Sequence, residues 1–153
     1  MIYEIHTKQR LPISKEKAWN FLSNPKNLQE IMPKDMGFKI LSGADKSMFT
    51  GQILQYNVTP LPGFSTKWVT EITHVEKPDY FVDIQLSGPY SLWHHKHFIN
   101  EIENGVEIED LVHYKVPFGI FGRMLHPLLI KPKLNSIFKA RTEKMTNLFG
   151  EYK

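Results

Sequence analysis

The sequence predicts an α+β fold, an antiparallel sheet with one long apolar helix laid on it. Three observations carry that prediction. Extended segments broken by turn residues fill positions 37–116. An Asn104-Gly105 pair sits between two of them, and short turns between strands argue for antiparallel hairpins. After them Leu134, Ile137, Phe138, Arg141, Met145, Leu148 and Phe149 recur at helical spacing, three and four residues apart. Strands gathered together and closed by one helix belong to the α+β class, with the helix packed on the sheet.

The elements follow in order. Ile2 to Leu11 is extended in character and stops at Pro12. Ser14 is placed to cap a short helix, its hydroxyl accepting an orphan backbone N–H, and Ala18, Trp19, Phe21 and Leu22 supply the apolar face. Asn24-Pro25 ends that helix and starts another, with proline at its first position. Leu28, Ile31 and Met32 form the second stripe, and Pro33 stops it. Strands are expected at 38–41, 51–59, 65–75, 80–86, 91–103 and 106–116. Between Val116 and Leu134, the residues Phe121, Met124, Leu125, Leu128 and Leu129 also look helical, and Pro127 and Pro132 should kink or divide that region.

A chain of 153 residues is the size of one domain and is long enough to close a core. Positions 1–153 are therefore read as a single domain. Apolar residues at 41% and charged residues at 23% are ordinary for a soluble protein. The absence of cysteine excludes disulfides, thiolate metal sites and a cysteine nucleophile. A net charge of +3 is too small for a dedicated nucleic-acid binder. No apolar run approaches the roughly 20 residues of a membrane span, and the first residues lack a signal-peptide core. The expectation is a cytoplasmic protein with no stable membrane insertion.

The Asn104-Gly105 turn sets a register. With those two residues as the loop, Glu103 faces Val106, Ile99 faces Asp110, His97 faces Val112, His95 faces Tyr114 and Trp93 faces Val116. Opposed side chains share a face of the sheet. Trp93, His95, His97, Ile99, Ile108, Asp110, Val112, Tyr114 and Val116 then point inward, while His94, Lys96, Phe98, Glu107, Glu109, His113 and Lys115 point to solvent. Two histidines and an aspartate among apolar neighbours need partners, because a buried polar group left unpaired costs about 1–3 kcal/mol. A satisfied core network, for instance His97 with Asp110, is one reading. A ligand cavity with a few polar groups in apolar walls is the other. In the preceding hairpin His74 would face Phe81, Ile72 would face Asp83 and Thr70 would face Gln85, with Trp68 on their side. Val69, Val75, Val82, Ile84 and Leu86 make the opposite face equally apolar.

No nucleophile elbow, phosphate loop, dinucleotide fingerprint or zinc-protease motif occurs. His95-x-His97 points two imidazoles to one side of a strand, which would suit a metal, and Glu101 shares their parity. No third ligand stands at a clear spacing, so the expectation is no metal and no cofactor. Lys131, Lys133, Lys139, Arg141 and Lys144 make the last helix basic, read as a solvated outer face.

The string Phe81-x-Asp83-x-Gln85-x-x-Gly88-Pro89-Tyr90-x-x-Trp93-x-His95-x-His97 resembles the ligand-binding SRPBCC proteins of the START and birch-pollen-allergen-like superfamily. Asp110-x-Val112-x-Tyr114-x-x-Pro117-x-Gly119, the later Leu134-x-x-Ile137-Phe138-x-x-Arg141, and Trp19-x-Phe21 with Leu28 before Met32-Pro33 are similar to its pattern elsewhere in the chain. The resemblance implies a helix-grip fold, a curved seven-stranded antiparallel sheet around the C-terminal helix with a cavity between them. It also implies that Trp68, Phe81, Asp83 and Gln85 face that cavity. Trp93, His95, His97, Asp110 and Tyr114 complete the expected ligand-binding set. The expected function is binding of a hydrophobic small molecule, a lipid, polyketide or aromatic-like compound. The alternative is a polyketide cyclase or aromatase using His95 or His97 as general acid/base. No catalytic residue is assigned.

Overall fold

The structure is a computed structural model and describes residues 1–153. Strand β1 (Tyr3–Leu11) is followed by α1 (Lys15–Leu22), a 3-10 turn (Pro25–Asn27), α2 (Leu28–Ile31) and a second 3-10 turn (Lys34–Met36). Strands β2 (Lys39–Ser42), β3 (Gln52–Leu61), β4 (Phe64–Glu76), β5 (Tyr80–Ser87), β6 (Leu92–Ile102) and β7 (Gly105–Lys115) come next. The chain closes with α3 (Gly119–Leu125), a π-helical segment (His126–Ile130) and α4 (Lys131–Phe149). The caps act as their residue types require. Ser14 accepts the Lys17 N–H, and Asn24 accepts the Lys26 N–H with Pro25 in the first turn.

All seven strands form one antiparallel sheet in the order β1-β7-β6-β5-β4-β3-β2. From β2 to β7 each strand pairs with the next in sequence, and β1 returns to the free edge of β7. The core lies on the concave side. Leu11, Trp19, Leu22, Leu54, Ile72, Phe81, Ile99, Val106 and Met145 belong to one cluster, and Ile5, Trp93, Val112, Tyr114, Leu134 and Phe138 to a second. Leu134 and Phe138 bring α4 onto β1, β6 and β7. The Lys144 ammonium donates to the Met32 carbonyl and ties α4 to α2.

The β6–β7 register differs from the one read off the turn. Trp93 faces Tyr114, His95 faces Val112, His97 faces Asp110 and Ile99 faces Ile108. The loop is Glu103-Asn104, and only Asn104 takes a positive φ, +59°. Gly105 is the first residue of β7 and has no positive φ. It is glycine for another reason, because a Cβ there would lie 2.2 Å from the Leu11 carbonyl oxygen. The pairing partners therefore move by two residues. A shift of two preserves every face, so the inward set survives. In the β4–β5 hairpin Ile72 faces Asp83 and Thr70 faces Gln85 as expected. A register irregularity then puts Phe81 opposite Val75 instead of His74.

The two prolines do not break the last helix. Residues 119–149 stay helical, with the π-helical segment absorbing the disturbance. Pro127 and Pro132 each lack the N–H that would donate to the carbonyl four residues back, so the ladder changes phase between them. No helix is long and apolar enough to cross a membrane.

Candidate ligand-binding site

Between the concave sheet and α4 lies a cavity of about 320 Å3, lined by 36 residues of which 25 are hydrophobic. That volume falls in the range of small-molecule sites, and the lining is as apolar as such sites usually are. Leu54, Tyr56, Val58, Trp68 and Ile72 contribute from β3 and β4, Phe21, Leu28 and Met32 from the helical segment, and Leu134, Ile137 and Phe138 from α4. Around the mouth, Phe64, Phe118, Leu125 and Leu129 line the opening and are exposed.

Of the nine residues expected to bind ligand, Trp68, Phe81, Asp83, Trp93, His95 and His97 line this cavity. The other three stand behind its wall. Gln85 is occupied by the backbone of Tyr90, donating to its carbonyl and accepting from its N–H, and so fastens the β5–β6 connection. Tyr114 is buried and its hydroxyl lies 2.7 Å from His126 Nε2. Asp110 is buried beneath the two histidines.

The polar residues of the wall form one cluster. Asp83 comes from β5, His95 and His97 from β6, Asp110 from β7 and Arg141 from α4. His97 Nε2 is 2.7 Å from Asp83 Oδ2, and His95 Nδ1 is 3.8 Å from the same oxygen. On the other side His95 Nε2 is 3.0 Å from Asp110 Oδ1. His97 Nδ1 lies equally near that oxygen. Its angle is too poor for a hydrogen bond, and it is the one buried side-chain polar atom left without a partner. The Arg141 Nη2 sits 3.2 Å from Asp110 Oδ1. The imidazoles lie against each other with ring centres 3.6 Å apart, and Phe81 stacks on His97.

Charges buried this closely shift one another's ionisation. Burial opposes the charge on Asp110, yet the guanidinium of Arg141 and the two histidines hold its carboxyl well below the usual carboxylate range. Asp83 is likewise lowered, against its own burial, by His97 and His95. His95 is pushed down by burial and by its neighbour His97. His97 is raised: burial opposes its charge, but the two carboxylates outweigh that.

Two residues of this architecture are not among the site residues expected from the sequence. Arg141 was read among the cations of a solvated helix face. Instead its side chain is nearly buried and turns inward, on the same stripe as Leu134, Ile137 and Phe138. Its position in the apolar periodicity was the available signal. His126 is buried, stacks on Tyr3 with ring centres 3.6 Å apart and meets Tyr114. Nothing in its local sequence announces this, because the π-helical segment turns it inward. Glu101, the metal-ligand candidate that followed the histidines, is exposed.

No protein-family model matches the chain, and no curated protein matches it in sequence. Solved structures match it over nearly its whole length. A Thermus thermophilus protein superposes with a TM-score of 0.69 at 15% identity, over 95% of this chain and 99% of that one. Major latex-like protein 151 of ginseng, Panax ginseng, gives 0.70 at 9% identity, over 97% of both chains. A point mutant of Thalictrum norcoclaurine synthase, in complex with a transition-state analogue, gives 0.64 at 18% identity, over 94% of this chain and 93% of that one. The shared feature is the fold. The chain has the helix-grip fold of the birch-pollen-allergen-like SRPBCC proteins, as its sequence motifs implied.

Proposed function

We propose that this protein binds a mainly apolar small molecule carrying a polar group, in the cavity between its sheet and its C-terminal helix. The observation that carries the reading is the composition of the cavity wall, apolar nearly throughout, with the Asp83, His95 and His97 cluster set into it. Apolar walls supply affinity by removing ligand surface from water, about 25 cal/mol per Å2. A few directed polar groups then select orientation. Trp68 and Trp93, edge to face with ring centres 5.3 Å apart, offer an aromatic wall for a flat or branched carbon skeleton. The exposed apolar residues at the mouth give such a molecule a path inward. The norcoclaurine synthase structure, with its transition-state analogue, supports the idea that the fold holds an organic molecule. Trp68, Phe81, Asp83, Trp93, His95 and His97 are the proposed contact residues. Gln85, Asp110 and Tyr114 are proposed to support them from behind.

The test is displacement of a fluorescent fatty acid from the purified protein, alongside native mass spectrometry of protein isolated from its own host. Saturable one-to-one probe binding is expected. Ile137 reaches the cavity from α4. Ile137→Trp should therefore fill it and weaken probe binding at least tenfold while the protein stays folded. A folded Ile137→Trp variant that binds the probe as the parent does would overturn the assignment.

A further inference from the structure

We propose that Asp83, His95 and His97 form a binding site for one divalent first-row transition-metal ion of the zinc or iron(II) kind, open to the cavity. The expectation of a metal-free chain rested on the lack of a third ligand near His95-x-His97. The structure supplies one from another strand. Asp83 on β5 lies across from His95 in the sheet, and one ligand atom from each of the three residues falls within 4.8 Å of the others. Ligands at about 2.0–2.1 Å from one ion stand roughly 3 Å from each other. The observed Asp83–His97 and Asp83–His95 separations of 2.7 and 3.8 Å bracket that value. The two histidine nitrogens lie within 4.8 Å of each other, so side-chain adjustments on the order of 1–2 Å would close the site. Two imidazoles and a carboxylate are the donors such ions take.

The outer side of the cluster gives a second, independent argument. A histidine bound to a metal commonly gives its other ring nitrogen to a carboxylate, which fixes ring and tautomer. Here a single carboxylate faces the far nitrogens of both rings. His95 Nε2 is hydrogen-bonded to Asp110, and His97 Nδ1 lies 3.0 Å from the same oxygen. Arg141 holds Asp110 in place. The near nitrogens, His95 Nδ1 and His97 Nε2, both turn towards Asp83. The buried His97 Nδ1 has no partner as it stands. Ligation through Nε2 would fix the tautomer with the proton on Nδ1, the nitrogen that faces Asp110. Asp83 and Asp110 against Arg141 leave one negative charge, which a metal ion would balance in place of a proton on His97. All three ligands line the cavity, so a polar atom of a bound molecule could take an open position on the ion. The metal reading does not depend on the identity of that molecule, and it is tested without one.

The experiment is calorimetric titration of chelator-stripped protein with zinc chloride, with cobalt(II) absorption as a spectroscopic readout. The exposed His6–Glu109 and His113–Glu4 pairs are surface competitors for an added ion. The titration is therefore run in parallel on His113→Gln. One ion per chain is expected, with unchanged affinity in His113→Gln. Asp110→Asn keeps all three ligands and should bind 10–100-fold more weakly. Asp83→Asn should bind more weakly still. Absence of stoichiometric binding overturns the proposal, as does binding lost with His113→Gln or untouched by Asp83→Asn. If Asp83→Asn does not fold, X-ray absorption of the zinc-loaded His113→Gln protein decides the matter. Two imidazole ligands support the site, and any other number refutes it.

Discussion

Arg141 and Asp110 are the pair on which the polar wall depends. Asp110 is buried at the centre of β7, and the guanidinium 3.2 Å away is the one permanent cation near it. Removing one partner of a buried ion pair strands the other charge, which costs about 3–5 kcal/mol. Arg141→Met should therefore lose stability on that scale in urea unfolding. Asp110→Asn in the same chain removes the stranded charge, so the double variant should be less destabilised than the sum of the two single changes. Strict additivity would show that the pair contributes no coupling and that α4 is held by its apolar stripe alone.

The π-helical segment His126–Ile130 joins α3 to α4 and seats one buried histidine on β1 and β7. Tyr3 stacks on His126, the Tyr114 hydroxyl is hydrogen-bonded to its Nε2, and Lys131 adds a nearby positive charge. Burial, with help from Lys131, pushes the His126 pKa below its ordinary value. The unfolded chain then takes up a proton near pH 6.5 that the folded one still refuses. His126 thus stabilises the fold above about pH 6.5, and this contribution fades as the pH falls from there towards the lowered folded pKa. The stability of the parent should drop over that interval more steeply than that of His126→Gln, measured by urea unfolding at a series of pH values. Parallel curves would show that His126 does not titrate in the transition.

At the level of the complete fold, the cavity means that the sheet and α4 leave space where a solid core would otherwise lie. Side chains around a void forgo contacts, so the unliganded protein holds less packing energy than the same frame filled. A molecule that binds only the folded state restores part of it, by about 2.7 kcal/mol at a ligand concentration a hundred times its dissociation constant. Saturation with the fatty-acid probe should raise the midpoint of thermal unfolding, and Ile137→Trp should both raise it without probe and abolish the further rise. A probe that fluoresces on the protein but leaves the midpoint unmoved would be bound at the exposed apolar rim rather than inside.

Much of this architecture could be read from local patterns. The caps at Ser14 and Asn24, the period-two faces of β6 and β7 and the apolar stripe of α4 depend on neighbours within a few residues, and the backbone obeys them. The inward placement of His95, His97 and Asp110 was legible despite a wrong register, because a shift of two leaves strand parity intact. Partners remote in sequence were not legible. Gly105 is shaped by the approach of Leu11, more than ninety residues earlier, so its glycine read as a turn signal when it is a clearance. Arg141 turns from a surface cation into a buried counterion only when α4 lies over Asp110. Asp83 becomes a neighbour of both histidines only through the β5–β6 pairing. The chain's own periodicities set which face each side chain takes. Which side chains then meet across that face depends on strand pairing and on the seating of the last helix, and both are long-range consequences of packing.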